Sequence, residues 1–123
     1  MATTEQRFIQ RLVAADPVLQ PLLDEHLDDM EGDLSPHLVM PTIGTWVEQR
    51  EPDNPEAQHV VVDVDRELGD ALAAGDEDVE NVIAVSFLEF WPTSPQPGGE
   101  WRGRFPERLA ALLQDMDHDK PGR

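Results

Sequence analysis

A segment in the second half of the chain is apolar on almost every side when it is drawn as a helix. This segment, GDEDVENVIAVSFLEFW at residues 75–91, begins with Asp76, Glu77 and Asp78. Acidic side chains stabilise the positive N-terminal end of a helix, so they predict a helix start. On a helical wheel the apolar residues fall on two opposite sides: Val79, Val82, Ile83, Phe87 and Phe90 on one, and Ala84, Val85, Leu88 and Trp91 on the other. Because such a helix is buried by neighbours on both flanks, we predict a central helix over residues 77–91.

Capping signals mark two helices in the first third of the chain. Thr3 and Gln6 have the spacing of a capping box, and the apolar repeat that follows them predicts a first helix. Asp16 followed by Pro17 has the pattern of an N-cap and a first helical residue, so a second helix is expected to begin there. Gly32 is placed to end that helix. The simplest prediction is a pair of antiparallel helices.

Prolines and glycines interrupt the next stretch, GDLSPHLVMPTIGTWVEQR. It contains Pro36, Pro41 and Gly44, and a proline in a helix interior removes a hydrogen bond. We therefore expect one short turn and then a short helix from Thr42 to about Gln49. The expected apolar anchors are Leu34, Leu38, Met40, Ile43, Trp46 and Val47.

A longer helix is predicted to begin at Asn54 and Pro55, which repeat the cap pattern, and to end at Gly75. The run VVVDVD within it is β-branched and partly alternating, so a strand is the alternative. We prefer a helix because the chain offers no second convincing strand for pairing, although Gly69 interrupts the pattern. The expected buried stripe is Ala57, Val60, Val61, Val64, Leu68, Ala71 and Leu72.

The remaining chain contains one loop and one helix. PTSPQPGGE, residues 92–100, is rich in proline and glycine and predicts a loop, and Pro106 then begins the last helix. We predict an all-α protein with a single compact domain of five or six helices, arranged as stacked helical hairpins. The helical domain spans residues 1–117 and a flexible tail spans residues 118–123. The helix pair in residues 55–91 resembles one unit of a HEAT-type repeat.

The formal charge of −17 at pH 7 arises from 26 Asp and Glu against nine Lys and Arg. Such a negative field repels nucleic acid phosphates and anionic membranes, so we expect neither as a partner. It speeds association with a basic protein, but it is also typical of salt-adapted proteomes, and both explanations stay open. Cysteine is absent, and we find neither a secretory signal nor an apolar run of membrane-spanning length. A cytoplasmic protein is expected.

Acidic residues concentrate in DEHLDDMEGD, residues 24–33, and along the predicted fourth helix. Like charges four residues apart on a helix repel by about 0.2–0.5 kcal/mol, so these carboxylates do not stabilise the helices that carry them. A solvated face, a surface for a basic partner and a cation site are three interpretations of the pattern. The candidate partner-binding residues are Asp24, Glu25, Asp28, Asp29, Glu31, Asp63, Asp65, Glu67 and Asp70.

Motifs for metal binding or catalysis are weak. Asp63, Asp65 and Glu67 have the spacing of the first ligands in a calcium-binding loop, but leucine and alanine occupy its glycine and glutamate positions. Ser86 is in no GxSxG elbow, and we expect its hydroxyl to bond a backbone carbonyl. No enzyme activity, cofactor or bound metal is expected. The histidines show no paired-ligand spacing and are expected to be surface or packing residues: His26, His37, His59 and His118.

The sequence has one basic cluster, formed by Arg102, Arg104 and Arg108. We expect it to hold the preceding loop through an ion pair with Glu89 or Glu107. A docking site for an acidic group is the alternative.

Two stretches carry a resemblance. LLDEHLDDMEGDLSPHLVMPTIGTWV, residues 22–47, and the segment at 75–91 together resemble a family of small, acidic, mostly helical bacterial proteins of uncharacterised function. Such sequences are similar to candidate immunity proteins of bacterial toxin systems. The stretch PTSPQPGGEWRGRF departs from the family pattern as a longer insertion. The resemblance implies these family-like positions, without a task for any of them: His26, Asp29, Gly32, Pro36, His37, Trp46, Asp76, Asp78, Asn81, Ser86 and Glu89.

Three functional hypotheses follow. The first is an acidic protein-binding module, an immunity-type inhibitor that binds a basic toxin or enzyme through surface carboxylates. The second is a small helical adaptor or stand-alone protein of a salt-adapted cytoplasm, without an inhibitory role. The third is a metal-dependent enzyme, which would require His26, His37 and nearby carboxylates to converge in one pocket.

Overall fold

The computed structural model describes residues 2–89, 91–92, 96 and 98–118, of which 117 and 118 are described by their backbone alone. This part of the chain is all-α and contains six α-helices, which confirms the predicted fold class. The α-helices are α1 (Thr4–Ala15), α2 (Gln20–Asp29), α3 (Pro36–Glu48), α4 (Pro55–Ala74), α5 (Glu77–Asn81) and α6 (Glu107–His118). α5 continues as a π-helix over Val82–Leu88, and 3₁₀ turns occupy Pro17–Leu19 and Gly99–Gly103. None of the described helices is long and apolar enough to cross a membrane.

Local capping signals fix most helix ends. Thr3 and Gln6 form the predicted capping box, and the Asn54 side chain accepts a backbone hydrogen bond in the first turn of α4. Gly32 and Gly75 have positive φ angles of 87° and 71°, which glycine adopts without steric cost. Gly75 directly ends α4. Gly32 follows the end of α2 and returns a hydrogen bond to its last turns.

The run VVVDVD lies within the long helix α4, as preferred over a strand. Most of the predicted stripe is buried, but Leu72 is 52% exposed, so its predicted burial is wrong. The presence of glycine at position 69 of this helix is explained by a close contact. The side chain of Arg108 lies so close that a Cβ at Gly69 would stand 2.5 Å from its Nε atom. Glycine therefore lets α6 place this arginine over α4.

α3 is one continuous helix through Pro41, so the predicted turn and separate short helix are wrong. An interior proline costs about 3 kcal/mol, but burial of several large apolar side chains on α3 offsets that cost. Leu38 was expected among these anchors and is instead 56% exposed, because the neighbouring Val39 faces the core. The buried apolar side chains of α3 are Val39, Met40, Ile43, Trp46 and Val47.

The predicted central helix is enclosed by other helices on two flanks. α3 packs against the π-helical segment, while α1 and α4 contact α5, and α6 contacts the π-helical segment. In a π-helix the hydrogen bonds join residues five apart, so side chains at that spacing lie nearer to one face than they do in an α-helix. Val82 with Phe87, and Ile83 with Leu88, form two such buried pairs. Val85 is 42% exposed, so its predicted burial on a standard α-helical wheel is wrong.

The segment after the π-helix is held by side chains that donate hydrogen bonds to backbone carbonyls. The Trp91 indole donates to Gly98 O at 2.9 Å, and the Trp101 indole donates to Arg50 O at 3.0 Å. Arg102 donates to Pro92 O and Trp91 O at 2.8 and 2.6 Å. The basic cluster thus holds this loop through Arg102. Phe90, which was predicted on an apolar side of the central helix, and residues 119–123 of the predicted tail lie outside the described residues.

Asp65 connects α4 to the start of α6. It is buried, its Oδ1 accepts from the backbone N–H of Leu109 at 2.9 Å, and its Oδ2 accepts from Arg108 Nη1 at 3.0 Å. A carboxylate at the N-terminus of a helix satisfies an amide that the helix itself cannot satisfy. This side chain therefore fixes where α6 begins.

We expect Asp65→Ala to lower the free energy of unfolding by about 2–3 kcal/mol, because it removes charge-assisted hydrogen bonds and leaves a buried amide unsatisfied. Urea unfolding followed by circular dichroism measures this change. Asp53→Ala removes an exposed carboxylate from the loop before α4 and is the matched control, with a change within about 0.5 kcal/mol. Equal effects of the two substitutions would show that Asp65 does not anchor α6.

Candidate functional site

The carboxylates of α2 and its C-terminal end lie on the surface. Asp24, Glu25, Asp28, Asp29 and Glu31 are all exposed, as predicted, and together they are called the α2 acidic surface. Their one described side-chain partner is Gln20, whose amide donates to Asp24 at 2.8 Å. Across residues 2–89 and the described part of the remaining chain, no arginine forms an ion pair with this surface.

The carboxylates of α4 are mostly buried, so the expectation that they form an outward surface is wrong for Asp63, Asp65 and Glu67. Helical periodicity places these residues beside the apolar stripe, where each meets a positively charged side chain. Glu67 accepts from Arg11 of α1 through Nε and Nη2, at 3.0 and 2.7 Å. These partners are Arg11 for Glu67, Arg108 for Asp65, and both Arg66 and His59 for Asp63. Asp70 is the candidate on α4 that remains exposed.

One group of titratable side chains joins the corner between α1 and α2 to α4. Asp16 occupies that corner but makes no side-chain cap for the turn that follows it. Its Oδ1 atom instead bonds to Nδ1 of His59, and Asp63 lies one helical turn after His59. The ligand atoms of the three residues lie within 4.8 Å of one another. This group is called the Asp16–His59–Asp63 cluster.

Two buried oxygens in the cluster have no hydrogen-bond donor. Asp16 and Asp63 are 4% and 3% exposed, and the Oδ2 atom of each lacks a hydrogen-bond partner. Asp63 Oδ2 lies 3.2 Å from His59 Nδ1, but Nδ1 carries at most one hydrogen and already bonds to Asp16. An unsatisfied buried carboxylate oxygen costs free energy unless a proton or a cation compensates it.

The electrostatics of the cluster favour added positive charge. Burial, together with the neighbouring Asp63, raises the pKa of Asp16 to about 6, although His59 opposes the rise. The hydrogen bond to Asp16 raises the pKa of His59, and the negative charges of Asp16 and Asp63 act in the same direction. The two carboxylates therefore repel each other, and His59 is drawn toward its charged form.

Sequence reasoning missed this cluster. His59 was assigned to the surface or to packing, and Asp63 to a partner-binding face. One signal was present, because His59 and Asp63 are four residues apart and share a face of α4. The spacing of residues could not identify Asp16 as the third member of the cluster, since it is 43 residues from His59 in the sequence.

The histidines that the metal hypothesis named have other partners. Nε2 of His26 accepts from the backbone N–H of Ser35 at 3.0 Å, which ties α2 to the start of α3. Nδ1 of His37 lies 2.7 Å from the hydroxyl of Ser86 in the π-helix. The partner of Ser86 is therefore a side chain and not the expected backbone carbonyl. His26 and His37 each bond a neighbouring element.

The His37–Ser86 pair lies in a cleft of about 460 Å³ that Glu48 also lines. A hydroxyl beside an imidazole is the start of a nucleophile and base pair. However, Ser86 lies inside the π-helix, whose amides donate within the helix, so its own segment supplies no oxyanion site. The geometry supports a tie between α3 and the π-helical segment better than catalysis.

Comparisons with protein-family models, with curated proteins and with solved structures found no match to this chain. The resemblance to candidate immunity proteins therefore stays a prediction.

Glu48→Gln is expected to raise the free energy of unfolding at neutral pH and to leave it unchanged below about pH 4. Burial raises the pKa of Glu48, so its ionised form is disfavoured in the folded protein. Below the unfolded pKa of about 4.3 both states are protonated, and the penalty grows as pH rises through the folded pKa. Urea unfolding of both proteins across this pH range measures the difference.

The matched control is Glu51→Gln, which removes the same charge from an exposed position three residues later. Its effect on stability should be smaller at neutral pH. If Glu48→Gln changed stability equally at acidic and neutral pH, the predicted cost of ionising Glu48 would be wrong.

Proposed function

We propose that this protein is an acidic protein-binding module of the immunity type, which binds a basic toxin or enzyme through the α2 acidic surface. The observation that supports this most is the contrast between α4 and α2. Buried carboxylates of α4 are compensated by arginines of α1, α4 and α6. Those of α2 are exposed and form no described ion pair, so their charge is available to another molecule.

The carboxylates of the α2 acidic surface lower the stability of the helix that carries them. Asp24 with Asp28, and Glu25 with Asp29, place like charges one turn apart, which costs about 0.2–0.5 kcal/mol per pair. Asp28 and Asp29 also lie in the last turn, where the helix dipole disfavours negative charge. Glu31 follows with a positive φ of 54°, which is uncommon for a residue with a side chain. Such unfavourable placement is expected when the carboxylates act between molecules.

Net charge adds a long-range contribution. A chain of formal charge −17 attracts a basic protein from a distance and speeds the encounter at low ionic strength. Short-range recognition would then depend on the α2 acidic surface, with the exposed Asp70 on α4 as a further candidate. Asp63, Asp65 and Glu67 take no part in this proposal because they are buried.

The test compares two variants with the same change in charge. The first replaces Asp24, Glu25, Asp28 and Asp29 by their amides. The control replaces the exposed Glu51, Asp53, Glu100 and Glu107 in the same way. A basic partner identified by crosslinking in native lysate is purified and titrated calorimetrically with each protein at several salt concentrations.

We expect the α2 variant to lose at least about tenfold in affinity, equivalent to about 1.4 kcal/mol, and to show a weaker salt dependence. The control variant should bind nearly as tightly as the unmodified protein. Equal losses of affinity in the two variants would show that only the net charge of the protein matters, as the hypothesis of a salt-adapted surface predicts. Absence of any basic partner would count directly against the proposal.

A further inference from the structure

The Asp16–His59–Asp63 cluster has the composition of a metal-binding site. It supplies two carboxylates and one imidazole, from the corner after α1 and from one face of α4. Both carboxylates are more than nine-tenths buried, and each has a buried Oδ2 atom without a hydrogen-bond donor. Asp63 Oδ2 is directed into the cluster, since it lies 3.2 Å from His59 Nδ1. The burial of both carboxylates and their two Oδ2 atoms without a donor fit a bound cation.

We propose that Asp16, His59 and Asp63 bind one divalent transition-metal ion of the Mn²⁺ or Zn²⁺ class. Its position would tie the corner between α1 and α2 to the first half of α4. This site is separate from the α2 acidic surface and does not depend on the function proposed for that surface.

The ligand set determines the class of ion. An imidazole nitrogen suits zinc, iron and other first-row metals, whereas carboxylate oxygens also suit manganese. Calcium prefers six to eight oxygens, and magnesium retains several waters and rarely uses dedicated protein ligands. Three protein ligands including one histidine therefore favour Mn²⁺ or Zn²⁺ over Ca²⁺ or Mg²⁺.

The geometry allows binding with a small side-chain movement. Two ligand atoms that are each about 2.1 Å from one ion stand at most about 4.2 Å apart. The three ligand atoms here all lie within 4.8 Å of one another, which is close to this limit, so a small adjustment of the side chains is enough to place them around one ion. His59 can make this movement because its side chain is 63% exposed, whereas the carboxylates are fixed by burial.

A further ligand position would open toward solvent. A cleft of about 480 Å³ adjoins the cluster and is lined by Asp16, Pro17, Val18, Glu56 and His59. Glu56 or a water molecule in this cleft can supply a fourth ligand. Arg66 pairs with Oδ1 of Asp63 at 3.0 Å, which leaves the Oδ2 atom for the ion.

The test uses the full chain after treatment with a chelator. It is titrated calorimetrically with ZnCl₂, MnCl₂, MgCl₂ and CaCl₂ in separate experiments, and thermal unfolding is measured with each ion. We expect one Zn²⁺ or Mn²⁺ ion per chain and a rise in Tm, because an ion that binds only the folded state stabilises it. Mg²⁺ and Ca²⁺ should give neither effect. Absence of saturable binding by Zn²⁺ and Mn²⁺ would overturn the proposal and leave protons as the compensating charge.

Variants locate the ion. His59→Gln changes an exposed side chain and should keep the fold, yet weaken binding by at least about tenfold. Asp63→Asn keeps the side-chain volume and removes one of two repelling carboxylates, so it should fold and abolish the metal-induced rise in Tm. The control is His37→Ala, which removes a histidine that bonds to Ser86 elsewhere in the fold.

The control should bind the metal as the unmodified protein does. Unchanged affinity in both His59→Gln and Asp63→Asn would place the ion elsewhere on the acidic surface and refute the site. An equal loss in His37→Ala would refute it as well, because that residue lies outside the cluster.

Discussion

A carboxylate that loses water on folding must gain a positive partner, because an uncompensated buried charge costs several kcal/mol. This constraint organises the structure around α4. Glu67 pairs with Arg11 of α1, and Asp65 accepts hydrogen bonds from Arg108 and from a backbone amide of α6. The same contacts that neutralise α4 therefore set the positions of the first and last helices. Gly69 belongs to this arrangement, because any larger residue there would meet Arg108.

The distribution of positive charge also determines the surface. With nine Lys and Arg in the whole chain, the arginines bound to α4 cannot compensate acids elsewhere. Among the described residues no arginine pairs with the α2 acidic surface, whereas Arg11, Arg66 and Arg108 pair with buried carboxylates of α4. Asp63 is the exception within α4. It pairs with Arg66 but shares His59 with Asp16, so the two buried carboxylates there have fewer arginine partners between them than the other buried acids of α4.

Local signals in the sequence were sufficient for most of the fold, but not for the candidate site. Thr3, Asn54, Gly32 and Gly75 act within one or two turns, so their roles can be predicted from spacing alone. Pro41 was misjudged because packing across the core outweighs the hydrogen bond that it removes. The burial of Glu67 depends on Arg11, which lies 56 residues away, and no local pattern indicates that pairing. The prediction of an outward acidic surface on α4 was wrong for the same reason.

The π-helical segment shows how a change in helical winding alters an apolar pattern. A wheel with the usual periodicity spreads the apolar residues of this segment around two faces and predicts that Val85 is buried. Hydrogen bonding between residues five apart instead aligns Val82 with Phe87 and Ile83 with Leu88, so both pairs are buried together. Val85 and Ser86 then lie between the pairs, where Ser86 reaches His37 of α3. Apolar pairs at a spacing of five, together with one polar residue between them, are thus the sequence signal that could have predicted this contact.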